Sequence, residues 1–308
     1  MLESALTKAV GAAVRPRRSV LYIPGSNARA LDKARALPCD GLILDLEDAV
    51  AQDEKATGRE QIAATLKQGG YGGRELIVRI NGLDTPWGAD DLAMVAKSAA
   101  HAMLIPKVEN AKMVREAEKR LVAASAPASL SIWCMMETPL GVLHAEEIAA
   151  SSERVECLVM GTSDLANDLH AAHTRERLPM LTSLELCLLV ARAFGLVILD
   201  GVHLNLADDD GFADSCAQAK ELGFDGKTLI HPKTIAKANE VFAPSPEDVA
   251  WSRKIIAAHA ETSRAGKGVI LVDGKLIENL HVEGAKRLVA LAGAINALEA
   301  AAPAMAPK

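Results

Sequence analysis

The chain has 308 residues, half of them apolar and only 3% aromatic, with 34 Lys and Arg against 40 Asp and Glu for a net charge of −6. That balance describes a soluble globular protein with an aliphatic core and no general attraction to nucleic acid or an anionic membrane. Five cysteines (Cys39, Cys134, Cys157, Cys187, Cys216), odd in number and without a CxxC pair, exclude a disulfide framework and a cysteine-ligated zinc and point to the reducing cytoplasm.

Met1–Arg18 carries Glu3 and no apolar signal core, so a short helix or loose arm (1–17) is expected. Eight short apolar runs follow: Val20–Pro24, Gly41–Asp48, Leu76–Asn81, Ala102–Val108, Ser131–Thr138, Cys157–Asp164, Leu196–His203 and Gly226–His231. Continuous runs of this length suit strands buried on both faces. Helical stretches separate them: Ala28–Leu37 with Asn27 as N-cap, Asp53–Leu66, Ala89–Ser98, Ala111–Ala124, Leu143–Ser151, Leu181–Phe194 and Asp208–Leu222. Eightfold alternation predicts an α/β fold, a (β/α)₈ barrel over 18–243, with a doubly wound open sheet as the alternative. Residues 244–308 form an extension: a helix from Pro244 through Ala260, a hairpin at Gly268–Leu276 turning at Asp273-Gly274, a helix at Val282–Ala300 and a frayed tail. Such an extension is expected to be a lid or an oligomer contact. No apolar run reaches membrane-spanning length, since Leu188–Leu199 is interrupted by Arg192.

Barrel enzymes gather their sites at the carboxyl ends of the strands, and the polar residues cluster there. Strand two ends in Asp45, Glu47 and Asp48, and strand three in Arg79 and Asn81. Strand four ends in Lys107, strands five and six in Glu137 and Asp164, strand seven in Asp200 and His203, and strand eight in His231. A lone Glu137 or Asp164 would be a solvated strand end or a helix cap. Together, beside the strand-two acids, they would repel strongly without a cation. Oxygen-only ligands favour Mg²⁺ or Mn²⁺ over zinc. Thr162 and Ser163 add donors beside Asp164. Arg79 either pairs with a strand-end acid such as Glu47 or binds a carboxylate or enolate. Arg29 and Lys33, after Pro24-Gly25-Ser26, are either a solvated basic face or a phosphate contact. His203 and His231 are more simply packed histidines than bases. Lys107 as a Schiff-base lysine is disfavoured, because the acids would keep it protonated.

These residues sit in segments that resemble the HpcH/HpaI aldolase/citrate lyase family, on its citrate lyase β and malyl-CoA or citramalyl-CoA lyase branch. The segments are Arg18–Ser26, Leu44–Val50, Val78–Pro86, Ile105–Val108, Met136–Gly141, Met160–Leu165 and Leu229–Lys233, in order over roughly 18–300. The resemblance implies a barrel of the phosphoenolpyruvate/pyruvate type with Glu137 and Asp164 as Mg²⁺ ligands, Arg79 as the substrate arginine and Glu47 as an outer acid holding water. It also implies a coenzyme A site involving Tyr22, Ile23, Lys33, Ser163, Ile230 and His231. Related enzymes carry arginine where Asn27 stands here, which leaves Arg29 as its replacement. An aspartate from a neighbouring subunit completes the site on this branch, and its counterpart here is Glu278. The implied protein is a homotrimer or hexamer that cleaves a 3-hydroxyacyl-CoA (malyl-CoA, β-methylmalyl-CoA or citramalyl-CoA) into an acyl-CoA and a 2-oxo acid, glyoxylate or pyruvate. The alternatives are a malyl-CoA thioesterase, a citrate lyase β subunit acting on an acyl-carrier thioester, a metal-dependent 2-oxo acid aldolase and a silent ligand-binding protein.

Overall fold

The computed structural model of the chain describes residues 14–263 and 270–301. Eight parallel strands close into a barrel in sequence order, the last pairing with the first, so the open-sheet alternative falls away. They are β1 Ser19–Pro24, β2 Gly41–Asp45, β3 Glu75–Arg79, β4 Ala102–Ile105, β5 Ser131–Met136, β6 Val155–Met160, β7 Val197–Asp200 and β8 Gly226–Leu229.

Alternation along each strand makes two cores. Inward residues such as Val20, Ile43, Ile77, Leu104, Trp133, Val159 and Leu199 fill the barrel. Their neighbours Leu21, Leu42, Val78, Ile132 and Leu158 face the helices. Each fully buried aliphatic side chain contributes about 1.5–3 kcal/mol. At the amino-terminal end Arg17 lies over the Trp133 ring, 5.1 Å from its centroid, and its Nε donates to Glu75 at 2.6 Å. Lys227, on the helix-facing side of β8, is paired with Asp200, which also accepts from Arg177 at 2.7 Å.

The strands stop earlier than their apolar runs. β2 ends at Asp45 because the Asp45 carboxylate takes over the backbone, accepting from Glu47 N at 2.9 Å and Ala49 N at 3.2 Å. β6 ends at Met160. Gly161 N makes a last rung to Met136 O at 3.1 Å, and Leu165 N then bonds Gly161 O, which opens a helix over Thr162–Asp168. Asp164 therefore stands in the first turn of a helix, and the expected strand end at that position is corrected. Glu137 directly follows β5. Its Thr138 neighbour caps the short helix Pro139–Leu143, accepting from Gly141 N at 3.0 Å.

A second compact unit starts at Ala243. Helices Pro246–Ser263 and Asn279–Ala300 flank a hairpin, Ile270–Val272 with Lys275–Ile277. Its turn is the expected one: Asp273 and Gly274 both have positive φ, 47° and 77°, as a two-residue turn between twisted strands requires. Ile255, Val272, Ile277, Val282 and Ala285 form its core. The last helix begins three residues before the expected Val282, with exposed Glu278 at its N-cap and Glu278 N donating to His281 Nδ1 at 3.0 Å. Expectations for the arm and the tail fall on 1–13 and 302–308, outside the described residues. No described helix is long and apolar enough to cross a membrane.

Candidate active site

A cavity of about 300 Å³ opens at the carboxyl end of the barrel. Its acidic and basic lining consists of Asp45, Asp48, Arg79, Glu137 and Asp164, set beside an apolar wall that includes Met135, Met160 and Ile230. Asp45, Arg79 and Glu137 reach it for one reason. Each continues the inward register of its strand, two residues beyond Ile43, Ile77 and Met135.

Arg79 is held as a fork. Its Nε and Nη2 donate to the two Asp45 oxygens at 2.7 and 2.6 Å, and Tyr22 stacks under the guanidinium at 4.9 Å. This fixes Nη1 toward the acidic loop, 2.8 Å from Glu47 Oε2 and 3.6 Å from Asp48. The Glu47 contact is an ion pair without hydrogen-bond alignment, so the buried Oε2 keeps an unused acceptor. The loop carrying Glu47 is itself pinned. Lys55 Nζ donates to Leu46 O and Glu47 O at 2.8 and 2.7 Å, and Asn81 Nδ2 donates to Leu46 O at 2.9 Å.

Glu137 is 2% exposed. Its Oε1 accepts from Lys107 N at 2.7 Å. Burial, reinforced by the charges of Glu47 and Asp164, pushes its carboxyl up to about 7, against that hydrogen bond and Arg79. Burial also raises the Glu47 carboxyl, with Arg79 opposing. Lys107 Nζ lies 3.2 Å from Asp164 and 3.5 Å from Glu47. Burial disfavours the ammonium, but Glu47, Asp48 and Asp164 outweigh it and hold the amine protonated.

Five carboxylates thus meet two cations, a deficit that suits a hard divalent ion. Among the described residues no group of three or more His, Cys, Asp or Glu makes a cage. The donor set instead fits Mg²⁺, which commonly takes one or two carboxylates and leaves the remaining positions to water and substrate. Glu137 and Asp164 are the residues that would hold it. Gly161 makes room for the Glu137 carboxylate: a Cβ there would lie 2.3 Å from Glu137 Cβ and 2.6 Å from Oε2. Gly161→Ala is expected to cost about 1–3 kcal/mol in urea unfolding, because both contacts sit in a packed interior that must shift.

Other expected site residues do not line this cavity. Ile23 is buried in the helix-facing layer. Arg29 and Lys33 are exposed on helix Ala28–Lys33, which Asn27 caps by accepting from Ala30 N at 2.9 Å. His231 is exposed, and its Nδ1 accepts from Lys233 N at 3.1 Å. His203 packs edge-on against Phe212, and Asp200 is spent on Lys227 and Arg177. Tyr22, Ser163 and Ile230 do line the cavity, and the buried Ser163 Oγ has no partner there. Sequence reasoning passed over Gly161 and the positioning roles of Lys55 and Asn81. Gly161 was visible as the first small residue after an apolar run, but the carboxylate it admits comes from the adjacent strand.

The sequence profile of the HpcH/HpaI aldolase/citrate lyase family matches residues 18–232. A Cereibacter sphaeroides protein named (3S)-malyl-CoA thioesterase is 50% identical over 285 residues, 92% of this chain and 98% of that protein. The citrate lyase subunit beta of Escherichia coli is 33% identical over 283 residues, 90% of this chain and 94% of its own. Among solved structures, Mycobacterium tuberculosis CitE in complex with magnesium, acetoacetate and coenzyme A has a TM-score of 0.71 at 29% identity, covering 91% of this chain and 99% of that one.

Proposed function

We propose that this chain, which belongs to the HpcH/HpaI aldolase/citrate lyase family, is a Mg²⁺-dependent thioesterase for a malyl-type 3-hydroxyacyl-CoA. The observation that carries the choice of reaction is the 50% identity to a malyl-CoA thioesterase along 98% of that protein's length. The cavity has the matching chemistry. It offers carboxylates that would hold a cation for a hydroxy acid, an arginine for a carboxylate or thioester oxygen, and an apolar wall beside the substrate's methylene.

When bound, the cation neutralises the carboxylates and polarises the substrate oxygens that share it. Arg79 presents Nη1 because Asp45 already occupies its other fork position. A water held at Glu47 would give its proton to the unpaired Oε2 as the water oxygen attacks the thioester carbonyl. The C–S bond breaks, the leaving thiolate takes the proton from Glu47, and the products are free coenzyme A and the intact hydroxy acid. Ser163 Oγ supplies a further hydrogen bond to the substrate.

Carbon–carbon cleavage to an acyl-CoA and a 2-oxo acid is the second reading, favoured by the identity to citrate lyase subunit beta. Both reactions use the same cavity. They would divide on the group that serves the enolate carbon, a role the resemblance assigns to Glu278 of a neighbouring subunit. Malyl-CoA incubated with the protein and Mg²⁺ is expected to give free thiol and malate by mass spectrometry. Acetyl-CoA with glyoxylate as the main products would replace the thioesterase reading by the lyase one.

A further inference from the structure

We propose that Lys107 is the resident counter-cation of this pocket: its ammonium holds Glu47 and Asp164 together in the metal-free protein and swings out to solvent when a divalent ion enters. The inference rests on Glu137 and Asp164 being the cation ligands. It adds a role for a residue that the reaction itself does not use.

Lys107 touches three acids from three different elements. Its backbone N–H donates to Glu137 Oε1 at 2.7 Å, and its Nζ lies 3.2 Å from Asp164 Oδ2 and 3.5 Å from Glu47 Oε1. The backbone is turned to allow this, with φ at 47°, a conformation that a non-glycine residue holds only under constraint. Pointing the amide at Glu137 and the side chain across the acids is what that turn accomplishes.

Two other lysines near the strand ends are built differently. Lys55 is 6% exposed with its ammonium bonded to two carbonyls, and Lys227 is 1% exposed against Asp200. Both are locked. The Lys107 side chain is 50% exposed, so its ammonium can exchange Asp164 and Glu47 for water without crossing packed protein. Neither contact is short, and an ion pair of such exposure is weak. A divalent ion can displace it, and that displacement lowers the apparent metal affinity.

The test is calorimetric titration of Mg²⁺ and Mn²⁺ into the chelator-stripped full chain, for the wild type, Lys107→Asn, Lys107→Gln and Lys107→Arg. Asparagine tolerates positive φ and so keeps the amide on Glu137, and glutamine serves if that variant does not fold. The neutral variants are expected to bind metal about three- to tenfold more tightly than the wild type, and Lys107→Arg no more tightly. Without metal the neutral variants should melt below the wild type, and saturating Mg²⁺ should close the gap. Neutral variants that bind metal as weakly as the wild type, or more weakly, would overturn the role of Lys107 alone. A wild-type chain that binds neither ion would overturn both this role and the metal reading of the pocket.

Discussion

Glu137→Gln is expected to abolish metal-dependent turnover and, in the metal-free protein, to raise stability above neutral pH. The loss of activity follows from removing one of the two carboxylates proposed to hold the cation. The charge stabilisation a bound cation supplies is worth several kcal/mol, so the fall is roughly a thousandfold or more. The gain in stability follows from burial. The folded state lifts the Glu137 carboxyl from 4.5 to about 7. Between these values the folded protein binds more protons than the unfolded one, so stability declines as pH rises through the interval. The full decline from this one group is about 3 kcal/mol. Glutamine keeps an acceptor for Lys107 N and carries no charge, so the variant escapes the decline. At pH 4 the two chelator-treated proteins should melt alike, whereas at pH 8 the variant should melt roughly 5 °C or more above the wild type. Added Mg²⁺ should then stabilise the wild type and not the variant. Equal melting at pH 8 would mean that the carboxylate is not held against its burial.

That site could be traced a long way from the chain, because a parallel barrel turns a period of two into a direction. Once Ile43, Ile77 and Met135 are inside, Asp45, Arg79 and Glu137 must point into the same mouth. The same rule gives Asp200 the wrong neighbours only if its parity is overlooked. Leu199 is inside, so Asp200 faces the helices, where Lys227 and Arg177 neutralise it. Ile23 turns its side chain away from the cavity for the same reason, being the outward neighbour of Tyr22. Strand ends resisted the sequence because the apolar runs continue into buried loops. There Asp45, Lys55 and Asn81 replace ladder hydrogen bonds by side-chain ones. Asp164 reaches the cavity as expected but from a helix, because a single glycine converts strand to helix. The contacts of Lys107 needed information no local pattern holds: which strand lies beside β4, and a backbone angle of opposite sign.

Arg79→Met is expected to cost about 3–5 kcal/mol of folding stability, in addition to losing activity, because the arginine is half of a buried pair. Asp45 is fully buried, and both of its oxygens accept from the guanidinium. Truncating the arginine leaves a charge in the interior with only the Glu47 and Ala49 amides to solvate it. Against a total stability of about 5–15 kcal/mol, that is a large fraction. Asp45→Asn in the Arg79→Met background removes the stranded charge, so the double variant should recover part of the loss, and the non-additivity measures the coupling. Arg79→Lys separates charge from shape. A lysine can approach Asp45 but cannot bond both of its oxygens and still present a donor to the cavity. Urea unfolding of Arg79→Lys should therefore fall between the wild type and Arg79→Met, while its kcat/KM should stay near that of Arg79→Met. A lysine variant that regains activity in step with its stability would make Arg79 a strut for Asp45 and leave the substrate oxygen to another donor.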